Sequence, residues 1–137
     1  MNRYKDWLEQ GERDIKRAML DIQFEYYEWA CFTSQQSAEK VVKALCLRIG
    51  IDVWGHSITT ILKLLKGKIK VSDDVIESAQ LLDTFYIPAR YPNGFSIGKP
   101  ADYYNKGMAE EALGAADKIL KFCKDNIDKQ AGASSGT

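Results

Sequence analysis

The sequence contains a single histidine, His56, and three cysteines, Cys31, Cys46 and Cys123, none of them in a Cys-x-x-Cys pair. Zinc sites draw most of their ligands from several histidines and cysteines, so we expect no metal site, and no sequence pattern calls for another cofactor. If one helix carries Cys31 and Cys46, they lie about 22 Å apart at about 1.5 Å per residue and cannot form a disulfide. Scattered cysteines of this kind are typical of a reduced cytoplasmic protein, and we expect all three to be buried.

The sequence also lacks a long hydrophobic run and an excess of one charge. No stretch of about 18 apolar residues is present, so we expect no membrane span. The N-terminal residues MNRYKDWLEQ are charged and lack the apolar segment of a signal peptide, which favours a cytoplasmic location. Lys and Arg total 19, and Asp and Glu also total 19. Because no overall field attracts DNA, RNA or an acidic membrane, any nucleic-acid contact must be local.

The sequence does contain a repeated helical period of apolar residues. Spacings of three and four predict helices over residues 3–22, 24–49, 57–66, 72–87 and 102–127. No segment shows a sustained period of two, so strands are not needed. We therefore predict an all-α, antiparallel up-and-down bundle of four to five helices in residues 1–127, followed by a flexible polar tail at 128–137.

Residues 24–49 have the pattern of the central helix of such a bundle. One stripe is rich in small and apolar residues, which let neighbouring helices approach closely. The opposite face carries Trp29 and Phe32 beside Gln36, where a solvent-facing helix has polar residues only. A symmetric homodimer, which presents the same patch twice, explains these aromatics; cover by another helix of the same chain is the alternative.

Lys40 and Lys43 on this face, and His56 at the start of the next predicted helix, are also candidate ligand residues. Lys43 follows Glu39 by four residues, the spacing of an intrahelical ion pair, but together with Lys40 it also suits a dimer groove that holds a nucleotide. His56 directly precedes Ser57, a residue typical of a helix N-terminus. A neutral imidazole there packs within the loop, or it contacts an anion bound near the helix end.

One long irregular stretch follows the fourth predicted helix. It begins with YIPARYPNGF, residues 86–95, in which Pro88 and Pro92 each disfavour helix in the preceding residue. We therefore expect the helix to kink or end near Ile87. Long loops in compact domains are usually functional or mobile.

Arg90 lies within this stretch. In one interpretation its planar guanidinium binds phosphate, while Tyr91, Asn93 and Lys99 shape the loop around the ligand. In the other, Arg90 bonds the exposed carbonyls at the end of its own helix, or a carboxylate such as Asp83. The residue types alone do not decide between the two.

Three motifs, SAEKVVKAL at 37–45, GHSITTIL at 55–62 and ARYP at 89–92, occur in an order and spacing that resembles the HEPN domain family (higher eukaryotes and prokaryotes nucleotide-binding). The likeness covers roughly residues 5–125 and is strongest to small stand-alone prokaryotic members. It implies a helical bundle, frequent homodimerisation and a role in nucleotide or RNA chemistry. Stand-alone members are often encoded beside a minimal nucleotidyltransferase, as toxin–antitoxin pairs or as accessory subunits.

HEPN proteins that cleave RNA carry an Arg, four to six other residues, and then a His. Arg90 is the candidate Arg, but Phe95, Ser96 and Ile97 occupy the positions expected for the His. Metal-independent cleavage needs groups that exchange protons near neutral pH, and Arg stays protonated. We therefore expect a homodimeric nucleotide- or RNA-binding module with a nucleotidyltransferase-type partner. The alternatives are a metal-independent RNase toxin that uses Arg90 with a non-histidine partner or with His56, and a module that only binds proteins.

Overall fold

The structure, a computed structural model, describes residues 2–87 and 89–135, with side chains described as far as residue 130. Its helices, in chain order, are α1 (Tyr4–Gln23), α2 (Tyr27–Ile49), α3 (Ile58–Leu65), α4 (Asp73–Asp83), α5 (Pro100–Tyr103) and α6 (Lys106–Ser135). No strand occurs among the described residues, and the all-α prediction is confirmed. The described part of the chain has six α-helices where four to five were predicted. The additional one, α5, is a single turn that begins with Pro100 and is too short to show a hydrophobic period in the sequence.

Helix α2 is the central helix, as its composition predicted. It contacts all five other helices, most extensively α1 and α6. Val41, Val42 and Leu45 of α2 are fully buried, and each such side chain contributes about 1.5–3 kcal/mol of hydrophobic stabilisation. The remaining helices are therefore positioned by their contact with α2.

Helix α1 crosses α2 at a glycine. The Ser37 hydroxyl donates a hydrogen bond to the Gly11 carbonyl over 2.6 Å, and a Cβ at Gly11 would lie 2.5 Å from Cγ1 of Val41. This approach brings α1 over the part of α2 that carries Lys40 and Lys43. The part of the outer face of α2 around Lys40 and Lys43 is therefore covered by α1 of the same chain. Such cover is the alternative to a dimer that was considered from the sequence.

A single carboxylate joins α3 and α4. Ser57 caps α3 as expected, its hydroxyl accepting from the Thr60 amide over 3.2 Å. Asp83, the last residue of α4, accepts from the amides of Ile58 at 2.9 Å and Thr59 at 3.0 Å. The end of one helix and the start of another are thus fixed to each other.

The predicted bounds of α4 and α6 differ from those in the structure. Helix α4 ends at Asp83, before the expected end near Ile87; Pro88 itself lies outside the described residues. Helix α6 begins at Lys106 rather than 102, because Asn105 caps it by accepting from the Met108 amide over 2.9 Å. It continues to Ser135, past the predicted end at 127. The mobility of the tail stays a prediction, and residues 136–137 lie outside the described part.

None of the described helices combines the length and the hydrophobicity needed to cross a bilayer.

Candidate functional site

Arg90 is held by aromatic rings and a carbonyl. Its Nε donates to the Tyr86 carbonyl oxygen over 2.9 Å. Its guanidinium carbon lies 4.4 Å from the ring centroid of Phe32, 4.8 Å from that of Tyr86 and 4.9 Å from that of Tyr91. Cation–π contacts of this length are worth about 0.5–1 kcal/mol each at exposed sites, so the rings fix the plane of the guanidinium.

No carboxylate of the described chain pairs with Arg90. The carbonyl contact considered from the sequence exists, whereas Asp83 is used to cap α3. Of the five N–H donors of an arginine, only Nε has a short partner, since Nη1 lies 3.5 Å from the Tyr91 hydroxyl. The remaining donors and the positive charge are available to an anion.

A groove of about 440 Å³ opens beside Arg90. Its volume falls in the range of about 300–1,000 Å³ that is usual for small-molecule sites. It is lined by residues from the α1–α2 turn, the start of α2, the segment after α4 and the start of α5: Glu25, Tyr26, Glu28, Trp29, Ala89, Arg90, Lys99, Pro100 and Ala101. The groove therefore joins basic, acidic and aromatic side chains.

The fold brings His56 to the same aromatic cluster. Its ring stacks on Tyr86 with centroids 4.6 Å apart, and Arg90 lies over that same tyrosine ring. His56 Nδ1 lies 2.9 Å from Oε1 of Glu39, whose side chain is only 6% exposed. The histidine side chain itself is 56% exposed. A buried carboxylate therefore orients an accessible imidazole.

Sequence reasoning missed this pair. It assigned Glu39 only to Lys43, and that ion pair does exist, with Nζ 3.3 Å from Oε2. The second partner of Glu39 lies 17 residues further along the chain. His56 reaches α2 only because the loop between α2 and α3 folds back along α2. Residue spacing within one helix does not predict the path of that loop.

Lys40 and Lys43 do not line the groove of Arg90. Lys40 pairs with Asp14 of α1, and the Lys43 ammonium lies 5.7 Å from the ring centroid of Trp7. Both ammonium groups are thus neutralised within their own chain. The structure places these two candidate residues at the α1–α2 contact instead.

The remaining predicted ligand residues surround Arg90 at different distances along the loop. Tyr91 contacts it directly. Lys99 lines the groove and pairs with Asp102 over 3.0 Å, in an exposed contact. Asn93 is exposed, in a 3-10 turn at Pro92–Gly94. Of these three, Lys99 and Tyr91 are brought to the site, and Asn93 stays on the loop surface.

The predicted dimer residues have unequal surroundings. Trp29 is 46% exposed and packs edge-on against Phe32. Phe32 is covered by Arg90 and is half-buried. Gln36 donates to the Gln35 side chain over 2.7 Å. Trp29 is therefore the member of the three that is most accessible to a second chain.

The cysteines are buried and unpaired, as expected. Burial raises the pKa of Cys31 to about 12 and that of Cys46 to about 11, and it raises the pKa of Cys123 as well. Thiolates are the nucleophilic form, so these side chains contribute packing rather than chemistry. Within the described part of the chain, His, Cys, Asp and Glu form no group of three that could hold a metal ion.

Comparisons with known proteins agree with this fold. The model of a family described as HEPN domain matches residues 4–126. A relative from Methanocaldococcus jannaschii, which bears the name "Putative toxin MJ1304", is 26% identical over 93% of this chain and 90% of its own length. The structure of TT1696 from Thermus thermophilus superposes with a TM-score of 0.89 at 43% identity, covering 92% of this chain and 99% of the other. ST0689, described as an archaeal HEPN homologue, gives a TM-score of 0.80 at 40% identity, covering 93% of this chain and 99% of the other.

Proposed function

The chain belongs to the HEPN domain family, and from that premise we propose that it binds a nucleotide or RNA, with Arg90 holding a phosphate. The observation that carries this proposal is an arginine that has no acidic partner in the described chain and is fixed by three aromatic rings. Its position is set before a ligand arrives, so binding loses little side-chain entropy. A fixed, planar guanidinium suits the bidentate contact that phosphate oxygens accept.

The proposal includes a homodimer. Trp29 is one of three exposed aromatics, with Phe24 and Tyr26, that follow one another in the sequence from the turn between α1 and α2 to the start of α2. An exposed aromatic patch of this kind marks an interaction surface, and a second copy presents the same patch in return. A dimer formed here adjoins the groove of Arg90, because Tyr26 and Trp29 also line that groove.

We further propose a protein partner of the nucleotidyltransferase type, in an arrangement like a toxin–antitoxin pair. The name of the Methanocaldococcus jannaschii relative supports the toxin half of that arrangement. A nucleotidyltransferase encoded beside this chain should co-purify with it when the two are expressed together. If the two proteins elute separately at micromolar concentration, the partner proposal fails.

A metal-independent ribonuclease is the second candidate, and one observation favours it. The family's His is absent after Arg90, but His56 reaches the same tyrosine ring as Arg90 and is oriented by Glu39. In such a site the imidazole accepts the proton of the 2′-hydroxyl as that oxygen attacks the phosphorus. The bond between the phosphorus and the 5′-oxygen breaks, the leaving 5′-oxygen takes a proton from water, and Arg90 stabilises the charge on the phosphoryl oxygens.

Thermal unfolding with a panel of mononucleotides and short RNAs tests the binding proposal. A ligand that binds only the folded protein adds about 2.7 kcal/mol to the free energy of unfolding at a hundredfold excess over its Kd. We expect wild-type protein to respond, Arg90→Ala to lose the response and Arg90→Lys to keep a weaker one. Arg13→Ala, which removes an exposed arginine outside the groove, is the matched control and should respond like wild type.

The same RNA samples separate the two candidates. Intact RNA after incubation with a chelator, together with a midpoint shift, indicates a binding module. Cleavage that is lost in both Arg90→Ala and His56→Ala indicates the ribonuclease. A midpoint that no ligand moves, while Arg90→Ala alone lowers it, shows that Arg90 only stabilises the fold.

A further inference from the structure

The groove of Arg90 contains two carboxylates that the fold leaves without partners. Glu25 lies in the α1–α2 turn, and Glu28 lies in the first turn of α2. Among the described residues, neither carboxylate takes part in an ion pair or a hydrogen bond, although Arg90 and Lys99 line the same groove. A site that held only phosphate would gain nothing from these negative charges, since they repel an anion.

The backbone at Glu25 fixes the position of its side chain just after the end of α1. Glu25 is the one non-glycine residue of the described chain with a positive φ, at 66°. Gly, Asn and Asp adopt this left-handed conformation most readily, whereas a longer side chain is unfavourable there. Here this conformation ends α1, since the Glu25 amide donates to the Ile22 carbonyl over 3.1 Å and the Tyr26 amide donates to the Asp21 carbonyl over 2.7 Å. This helix end places a carboxylate in the lining of a groove that also contains a fixed arginine.

We propose that the groove is selective for guanine nucleotides, with the phosphate on Arg90 and the edge of the guanine base on the carboxylates of Glu25 and Glu28. This inference rests on the proposed function, because it needs a phosphate at Arg90. Tyr26 and Trp29, which are both exposed and line the same groove, offer faces on which a base can stack. The groove, at about 440 Å³, has the volume of a typical small-ligand site.

The preference for guanine follows from the pattern of donors on the base. Guanine presents N1–H and the N2 amino group side by side, and these two donors match the two oxygens of a carboxylate. Adenine and cytosine place a ring acceptor next to the amino group, and uracil places its N–H between two carbonyls. In those three bases an acceptor lone pair would face the carboxylate and repel it, so guanine is favoured.

Binding of GMP, AMP, CMP and UMP, measured by isothermal titration calorimetry at one ionic strength, tests the proposal. One good bidentate base contact gives roughly 5- to 150-fold discrimination, and we expect GMP to bind at least about tenfold more tightly than the other three. Glu25→Gln combined with Glu28→Gln should abolish this preference, because GMP loses its base contact, whereas the other three nucleotides lose only a repulsion and should bind no more weakly than to wild type. The matched control, Glu9→Gln combined with Glu77→Gln, removes two exposed carboxylates outside the groove and should keep the preference.

Glu25→Gly separates loss of recognition from loss of folding. Glycine adopts a positive φ without strain, so the thermal midpoint should be no lower than that of wild type, while the preference for GMP should fall. Equal affinities for the four nucleotides, all lost in Arg90→Ala, overturn guanine selectivity and leave phosphate binding intact. If none of the four nucleotides binds, this inference is overturned, and the response of the thermal midpoint to the short RNAs decides the proposed function.

Discussion

Replacing Gly11 by alanine tests the contact that sets α1 on α2. The added Cβ would lie 2.5 Å from Cγ1 of Val41 and 3.1 Å from the carbonyl oxygen of Ser37. Val41 is fully buried and the carbonyl belongs to the helix backbone, so neither atom can move away freely. Overpacking costs about 1–3 kcal/mol, and a contact this short belongs at the upper end. Because Ala favours a helix over Gly by about 1 kcal/mol, we expect a net destabilisation of about 2 kcal/mol.

Gly114→Ala is the matched control. Gly114 lies inside α6, and a Cβ there meets no atom within 4 Å, so only the helix propensity changes. This variant should be stabilised by about 1 kcal/mol. Urea unfolding followed by far-UV circular dichroism gives both values from the shift in midpoint. If Gly11→Ala is as stable as Gly114→Ala, the close approach of α1 to α2 is refuted.

Two other predictions concern association and pH. Trp29→Ala should convert the proposed dimer to a monomer in light scattering coupled to gel filtration, whereas Trp54→Ala, which truncates a side chain that is 86% exposed, should not. An unchanged mass in Trp29→Ala contradicts the proposed interface. The free energy of unfolding should fall as pH rises above 9, because unfolded thiols lose their protons near the ordinary pKa of 9.0 while Cys31 keeps its proton until about pH 12. Each buried thiol lowers the free energy of unfolding by up to about 1.4 kcal/mol per pH unit in this range. In Cys31→Ala the free energy of unfolding should therefore fall less steeply between pH 9 and 10 than in wild type. An equal slope in the two proteins counts against the raised pKa of Cys31.

The central position of α2 could be predicted from the sequence because burial follows a helical period. The same stripe that predicted its inner face is the one that contacts its neighbours, and Ser57 marks the start of α3 as expected. The start of α6 and the turn α5 were not predictable in this way. Both depend on caps at Lys99 and Asn105 within a loop that has no period.

The candidate site was predicted only in part, for a physical reason. Arg90 was identified from its position beside two prolines, but its partners come from elements far apart in the sequence. Phe32 of α2 covers one face of the guanidinium, and Glu25 enters through the turn before that helix. Lys40 and Lys43 share a face of α2 in the sequence, yet α1 covers them, and a single helix cannot reveal which neighbour lies over it.

Asp83 links the two halves of the site. It fixes the first amides of α3, directly after His56, and it is followed three residues later by Tyr86. The Asp83 carboxylate therefore positions both the His56 ring and the Tyr86 ring on which it stacks. Because Arg90 bonds the Tyr86 carbonyl and lies over the Tyr86 ring, its position depends on the same link. Arg90 and His56 are thus both positioned by one junction between α3 and α4.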